Sequence, residues 1–198
     1  MASKYKEFCG KWKDGCNSGL CEGATHICFA RGSIPADVLF IGEAPGESEN
    51  VLGVPFIGPA GKLLDRIINK GVPKNLTCAL TNLVGCIPRD VSSGNKASEP
   101  LPEEVRSCLP RLKEFVGIVK PRLVIAVGEL AKIHITGQSM FSDKEHGNLS
   151  WLGDGTLEFA NIVHPAFILR MNLAQQSLAE QRCVVIIRNA VEDTFRKV

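Results

Sequence analysis

The sequence predicts an α/β protein whose parallel sheet is covered by helices on both faces. Short apolar runs alternate along the chain with segments of helical periodicity, an order typical of parallel sheets. Each apolar run leads into a glycine or a polar side chain. With 198 residues, 44% of them hydrophobic and 22% charged, the chain suits a single folded domain over residues 1–198.

Four apolar runs predict the strands, and the segments between them predict the helices. Strands are expected at 37–42, 78–84, 122–127 and 157–163. Helices are expected at 60–70, at 102–119, from Glu129 onward and at 174–196. Pro102 followed by two glutamates is typical of a helix start. Residues 1–32, 43–60 and 138–156 are expected to be irregular.

Composition and motifs exclude several classes of protein. Lys and Arg number 23 against 21 Asp and Glu, so the net charge of +2 does not by itself indicate a nucleic-acid-binding protein. The apolar runs fall far short of the roughly 20 residues of a membrane span. Because the charged N-terminus lacks the apolar core of a signal peptide, we expect a cytoplasmic protein. The glycine-rich stretch 42–61 lacks the endings of a P-loop and of a dinucleotide site, which disfavours a nucleotide cofactor.

The eight cysteines form two groups. Three lie in apolar surroundings and are expected to be buried core thiols: Cys28, Cys78 and Cys183. The others lie among glycine, lysine, asparagine or proline: Cys9, Cys16, Cys21, Cys86 and Cys108. Without an export signal, a disulfide framework is not expected, whereas four thiolates from loops suit zinc or an iron–sulfur cluster. Spacing alone leaves the metal site open.

Polar side chains lie at the carboxyl ends of three of the predicted strands. These are Glu43 and His164, directly after their strands, and Asn82, near the carboxyl end of the strand 78–84; they should converge because parallel strands end at one edge of the sheet. A carboxylate, an amide and an imidazole together are typical of an active site. Each has a structural alternative, since the carboxylate could cap a loop, the amide could satisfy backbone groups and the histidine could be structural. Phe56 could belong to the core or stack on a planar ligand.

Five motifs, in one order and at compatible spacing, resemble the family 4 uracil-DNA glycosylases, which carry an iron–sulfur cluster. They are Gly42–Glu49 (Gly-Glu-Ala-Pro-Gly-Glu-Ser-Glu) with Gly53–Asp65, Thr81–Arg89, Pro102–Pro110, Pro121–Gly128 and His164–Arg170. The similarity covers roughly residues 16–175. It implies a three-layer α/β/α sandwich with a central four-stranded parallel sheet, and a monomer that acts on DNA.

The resemblance also implies a 4Fe–4S cluster held by four cysteines. At the matching positions of this sequence, the resemblance implies the ligands Cys16, Cys21, Cys86 and Cys108. The first two are further apart than the two-residue gap of the family, and Cys9 is a rival for one position. In the family the cluster is regarded as structural, so here it would hold the cysteine-rich segment 1–32 and the DNA-binding loops in place.

The same resemblance assigns roles to the site residues. Glu43 would favour a cationic sugar and position a water, and His164 would stabilise the departing base. Four residues would bind the flipped base: Ala44, Glu49, Phe56 and Asn82. Leu169 and Arg170 would fill the gap in the duplex. The implied activity is excision of uracil by a monofunctional DNA glycosylase.

Departures from the family pattern keep alternatives open. Asn50 stands where the family usually has aspartate, and the segments 89–101 and 137–155 are distinctive. These changes could suit a modified pyrimidine, such as a C5-modified cytosine. A non-catalytic DNA-binding iron–sulfur module and a zinc-stapled structural protein are further alternatives. His134 and His146 are expected to be solvated.

Overall fold

A mixed sheet of six strands lies at the centre of the residues described by the structure, a computed structural model. The described residues are 2–16, 19–90, 96–137, 146–149 and 157–196. The sheet contains β1 (Arg31–Gly32), β2 (Val38–Gly42), β3 (Cys78–Asn82), β6 (Leu123–Val127), β7 (His146–Leu149) and β8 (Leu157–Ile162). A separate two-stranded ribbon pairs β4 (Arg89–Asp90) with β5 (Lys96–Ala97).

Seven helices are present in the described residues. They are α1 (Ala2–Lys11), α2 (Glu47–Leu52), α3 (Pro59–Gly71), α4 (Pro102–Val119), α5 (Glu129–Thr136), α6 (Pro165–Ile168) and α7 (Leu173–Phe195). Local hydrogen bonds stabilise the first turns of two helices, α4 and α7. The Glu104 carboxylate accepts a hydrogen bond from the Leu101 amide at the start of α4, and Asn172 caps α7 by accepting from Gln175. None of the described helices is both long and apolar enough to cross a membrane.

The sheet order is β1-β3-β2-β6-β8-β7. The four inner strands are parallel, and the two edge strands are antiparallel to their neighbours. In this register Gly42 lies opposite Asn82, and Val127 lies opposite Ile162. The carboxyl ends of all four parallel strands therefore meet at one edge of the sheet.

Alternating strand residues bury the two faces of the sheet against different helices. On one face Leu39 and Ile41 pack in a core with α4, α5 and Phe8 of α1. On the other face Val38 and Phe40 pack in a core with α3 and α7. Helices on both faces of the sheet make three layers, and the predicted α/β/α sandwich with its four parallel strands is confirmed.

The sequence interpretation was wrong in three irregular segments. Residues 2–11 form α1, residues 47–52 form α2, and residues 146–149 add β7 to the sheet edge. α1 is stabilised by tertiary packing, because Phe8 is buried against Phe29 and Phe115. Short segments of this kind carry too little periodicity to be recognised, and the packing partners of α1 lie far away in the chain.

Candidate active site

A cavity of about 640 Å³ lies beyond the carboxyl ends of the parallel strands. This is where ligands bind in open α/β sheets, and the volume is typical of a ligand pocket. Seven predicted residues line it together: Glu43, Ala44, Glu49, Phe56, Asn82, His164 and Arg170. The structure thus brings together residues that are up to 127 positions apart in the chain, from 43 to 170.

Gly42, the last residue of β2, lets two of these side chains approach each other. A Cβ added at residue 42 would overlap the Phe56 ring and lie 2.6 Å from Asn82 Oδ1. Glycine is therefore required here for steric reasons. Its backbone also fixes the edge of the sheet, because the Gly42 carbonyl accepts a hydrogen bond from the Leu83 amide at 2.9 Å.

Phe56 is held in a backbone conformation that is unusual for a side-chain-bearing residue, with φ 59°. Arg31 donates to the carbonyl oxygens of Pro55 and Phe56 and pairs with Asp65. On the other side, Glu49 Oε1 accepts from the amides of Ile57 at 2.9 Å and Gly58 at 2.8 Å. These hydrogen bonds hold the backbone on both sides of Phe56 in place, and the aromatic ring lines the cavity.

Glu49 therefore has a visible structural role beside its predicted one. It lines the cavity, while one carboxylate oxygen holds the loop after Phe56. Arg31 was not recognised from the sequence, because its contacts join segments that only the fold brings together.

Asn82 ends β3 and is almost fully buried. Its side-chain oxygen Oδ1 is buried and has no hydrogen-bond partner. Leaving a buried acceptor unpaired costs about 1–3 kcal/mol, so such an atom indicates a missing partner. Because Asn82 also lines the cavity, the missing partner is expected to be a donor on a bound ligand.

Glu43 directly follows β2 and lines the cavity. Burial raises the pKa of Glu43 to about 7, and the negative charge of Glu99 adds to the increase. Glu99 and Ser98 follow β5 and line the same cavity. The sequence analysis missed both residues, since nothing in the polar segment 89–101 indicated that it folds back over the strand ends.

His164 is oriented by the backbone that follows it. Its Nδ1 accepts a hydrogen bond from the Ala166 amide at 3.2 Å, which also caps α6. The neutral ring therefore carries its proton on Nε2. Burial lowers the pKa of His164, and the positive charge of Arg170 acts in the same direction. Gly128, with φ 98°, makes room for this ring, because an added Cβ would lie 3.0 Å from His164 Cβ.

The segment after His164 forms one rim of the cavity. Arg170 lines the cavity and lies over the Phe167 ring, 5.7 Å from its centre. Leu169 is 39% exposed beside them but does not line the cavity. Phe167 lines it and is 52% exposed, an aromatic residue within the His-Pro-Ala-Phe motif that the sequence analysis did not assign.

The four predicted ligand cysteines lie together in two pairs. Cys21 and Cys86 are joined by a disulfide, which the sequence analysis did not expect, and Cys16 Sγ lies 2.9 Å from Cys108 Sγ. The pairs are neighbours, because a Cβ on Gly15 would lie 2.6 Å from Cys21 Sγ and the Gly85 amide interacts with the Cys108 thiol. With this disulfide closed, no described group of three or more histidine, cysteine or acidic side chains is arranged to hold a metal ion.

The remaining four cysteines are free thiols. The Cys9 thiol interacts with Tyr5, and burial raises its pKa. Cys28 and Cys183 are buried, as predicted, and Cys78 is partly buried against the core. Burial raises the pKa of Cys28 to about 12 and that of Cys78 to about 11, so both remain thiols at neutral pH.

Asn50, which departs from the family pattern, does not line the cavity. Its side chain is 3% exposed, accepts from the Thr25 amide at 2.9 Å and donates to the Thr25 hydroxyl at 3.2 Å. It therefore fastens α2 to the N-terminal segment. His134 lies on α5 and does not line the cavity. The side chain of His146 lies outside the described part of the structure.

Comparisons with known proteins agree with this geometry. A family model described as the uracil DNA glycosylase superfamily matches residues 29–186. The chain belongs to the uracil DNA glycosylase superfamily. The match contains every predicted residue of the cavity, whereas Cys16 and Cys21 precede it.

Three relatives carry the same description, Type-4 uracil-DNA glycosylase. The protein of Thermotoga maritima is 30% identical over 148 residues, which are 74% of this chain and 73% of the relative. The protein of Pyrobaculum aerophilum is 39% identical over 97 residues, 49% of this chain and 46% of the relative. That of Saccharolobus solfataricus is 39% identical over 99 residues, 49% of this chain and 43% of the relative. The chain thus matches less than half the length of the last two relatives.

Proposed function

We propose that the protein is a monofunctional DNA glycosylase that flips uracil out of DNA and hydrolyses its N-glycosidic bond, leaving an abasic site. The observation that carries the proposal is the unpartnered Asn82 Oδ1 in the wall of the cavity. The names of the relatives support the same activity, since each is described as a uracil-DNA glycosylase.

Asn82 and Phe56 are proposed to recognise the base. A flipped uracil offers N3–H as a donor and O4 as an acceptor, which the Asn82 oxygen and amide nitrogen complement. Cytosine presents the opposite pattern, with an acceptor at N3 and an amino donor at position 4. The Phe56 ring would stack on the base, while Ala44 and Glu49 would line the pocket, with Glu49 crowding a methyl group such as that of thymine.

His164 and Glu43 are proposed to act on the bond. Cleavage leaves negative charge on the base and positive charge on the sugar. The Nε2–H of His164 would donate to uracil O2 and stabilise the departing anion. Ionised Glu43 would favour the cationic sugar and position the water. No lysine lines the described cavity, in keeping with hydrolysis without an amine nucleophile.

We propose that Leu169 and Arg170 enter the duplex where the base leaves it. Both follow α6 at the rim of the cavity. The exposed Leu169 side chain could occupy the vacated space, and Arg170 is close enough to the cavity to contact the flipped nucleotide or its phosphates. The protein is proposed to act on DNA as a monomer.

Four cysteines are proposed to hold a 4Fe–4S cluster: Cys16, Cys21, Cys86 and Cys108. Their sulfurs converge, and reduction of the Cys21–Cys86 bond would supply four thiols, a suitable donor set for the group. When bound, the cluster would supply a structural link between the N-terminal segment and the loops after β3 and before α4. Iron and sulfide analysis with an absorption band near roughly 400 nm tests it, because zinc is colourless.

Base release from matched oligonucleotides tests the activity. One set carries a single uracil, in single- or double-stranded DNA, and the other carries a C5-modified cytosine. Hot alkali then cuts at abasic sites. Cleavage at uracil, lost in His164→Ala and Glu43→Ala, is the expected result. Absence of cleavage in both sets by iron-loaded protein would contradict the proposal and favour a non-catalytic DNA-binding module.

The C5-modified cytosine remains a second candidate substrate. Asn50 does not support this substrate, because its side chain is hydrogen-bonded to Thr25. The observation that favours this substrate is that Ser98 and Glu99, in the distinctive segment 89–101, line the cavity. Cleavage at the modified cytosine alone would favour this substrate on the same scaffold.

A further inference from the structure

We propose that Arg111 is the buried counter-charge of the iron–sulfur cluster and that it links the cluster to the end of the strand that carries Asn82. The inference rests on the proposed cluster and goes beyond it, because it assigns a positioning residue that joins the cysteine group to the base-recognition site.

The contacts of Arg111 place it between these two parts of the protein. The side chain lies on α4 and is 2% exposed. Its Nη2 donates to the carbonyl oxygen of Asn82 at 2.7 Å and to that of Leu83 at 3.0 Å. On its other side it lies against the loop before Cys86, since a Cβ on Gly85 would be 3.6 Å from Arg111 Nε.

Two nitrogens of Arg111 lack a partner. Nε and Nη1 are buried and make no hydrogen bond. Among the described residues, no ion pair joins Arg111 to a carboxylate. A buried charge is costly unless it is paired and hydrogen-bonded, so a negative group is missing from this environment.

The cysteine group is where negative charge would develop. Cys108 lies three positions before Arg111 on α4, so the two side chains lie on the same side of the helix, and the guanidinium interacts with the Cys108 thiol. Four thiolates around an iron–sulfur core leave the whole group negatively charged, and hydrogen bonds to its sulfurs help set its reduction potential. The guanidinium of Arg111 can balance this negative charge, and its nitrogens Nε and Nη1 can donate hydrogen bonds to the sulfurs.

A positive charge at this position should make reduction of the cluster easier, because reduction adds negative charge. Arg111→Gln removes the charge, whereas Arg111→Lys keeps it, and both variants lose the two-carbonyl fork to Asn82 and Leu83. A difference between these variants therefore reports the charge rather than the backbone contacts. Arg122→Gln is the control, because Arg122 donates to the Thr194 carbonyl and lies over Phe195, 4.3 Å from its ring centre.

The experiment is a redox titration of the purified, iron-containing proteins, followed spectroscopically. In Arg111→Gln we expect reduction to become about tenfold less favourable than in Arg111→Lys, which is about 59 mV for a one-electron couple. Arg122→Gln should keep the wild-type midpoint. Equal midpoints in Arg111→Gln and Arg111→Lys would overturn the inference.

Thermal unfolding of cluster-loaded and cluster-free protein gives a second readout. Arg111→Gln should lower the Tm of the loaded protein more than that of the cluster-free protein, whose Arg111 charge is uncompensated. Equal losses would mean that Arg111 acts only through its backbone hydrogen bonds. If Arg111→Gln loses its cluster during purification, iron retention replaces the midpoint, and equal retention in both Arg111 variants contradicts the inference.

Measurements on the wild-type protein distinguish a failure of this inference from a failure of the proposed cofactor. Wild-type protein without iron and sulfide, after anaerobic purification, would overturn the cluster and the inference together. Iron-containing wild-type protein whose potential does not respond to the charge of residue 111 would overturn the inference alone.

Discussion

Gly42 and Phe56 are in such close contact that one methyl group at residue 42 would overlap the aromatic ring. Gly42 is also the residue opposite Asn82 in the parallel register. The end of β2 therefore determines how closely the ring and the amide approach each other across the cavity. A residue with no side chain is in this way part of the geometry that is proposed to recognise the base.

We expect Gly42→Ala to reduce base excision by at least about tenfold, a loss of roughly 1.4 kcal/mol of transition-state stabilisation. The added methyl group would displace the Phe56 ring, the Asn82 oxygen or both. Single-turnover base release measures the effect. The control is Gly117→Ala on α4, where an added Cβ meets nothing within 4 Å. It should keep activity and stabilise the helix by about 0.5–1 kcal/mol. Full activity in Gly42→Ala would contradict the steric argument.

The activity should rise with pH through about 7, the pKa to which burial and the charge of Glu99 raise Glu43. Because the ionised form is proposed to be the active one, the rate should be low below this pKa and reach a plateau above it. Glu99→Gln removes a negative neighbour, which lowers the pKa of Glu43 and moves the midpoint to lower pH. Single-turnover rates between about pH 5 and pH 9 measure it.

Glu103→Gln is the control for the pH profile. Glu103 is exposed in the first turn of α4 and does not line the cavity. Its replacement should leave the midpoint unchanged. A midpoint that stays at the wild-type value in Glu99→Gln would show that burial alone raises the pKa of Glu43.

Removal of the His164 hydrogen-bond donor should lower the rate by about 10²–10³-fold, the effect of deleting one donor to a developing anion. His164→Asp provides a sharper test than His164→Ala, because aspartate is a good helix cap that can preserve the start of α6 and, when ionised, carries no donor. Both variants should lose activity, as measured by single-turnover base release. His134→Ala, on α5 outside the cavity, should retain it. An active His164→Asp would mean that His164 serves only as the cap.

Replacement of Asn82 should separate stability from activity. Asn82→Ala removes a buried oxygen that has no partner in the free protein, so we expect little loss of Tm. The same change should reduce uracil excision by at least about tenfold, or roughly 1.4 kcal/mol. Thermal unfolding and single-turnover base release measure the two quantities. A large loss of Tm with unchanged excision would remove Asn82 from base recognition.

Much of the fold could be predicted because the inner strands are buried on both faces. Such strands appear in the sequence as continuous apolar runs, and all four predicted runs correspond to β2, β3, β6 and β8. The long helices were equally visible, since α3, α4 and α7 each bury one periodic face. α1 and β1 were missed because their stability comes from partners distant in the chain, whereas β7 is a strand of only four residues that pairs with the nearby β8.

The sequence by itself determined which chemical groups stand at the strand ends. Glu43, Asn82 and His164 follow directly from the positions at which the buried runs stop, because parallel strands must end at one edge. The motifs around them also indicated the family, and the family comparison confirmed it.

Only the tertiary structure decided the environment of these groups. It put Glu99 beside Glu43, turned Asn50 away toward Thr25 and buried Arg111 between Asn82 and the cysteines. The pKa of a carboxyl group and the partners of a buried guanidinium depend on distances between remote segments. Such distances are set by the packing of the whole chain, and no local pattern of residues contains them.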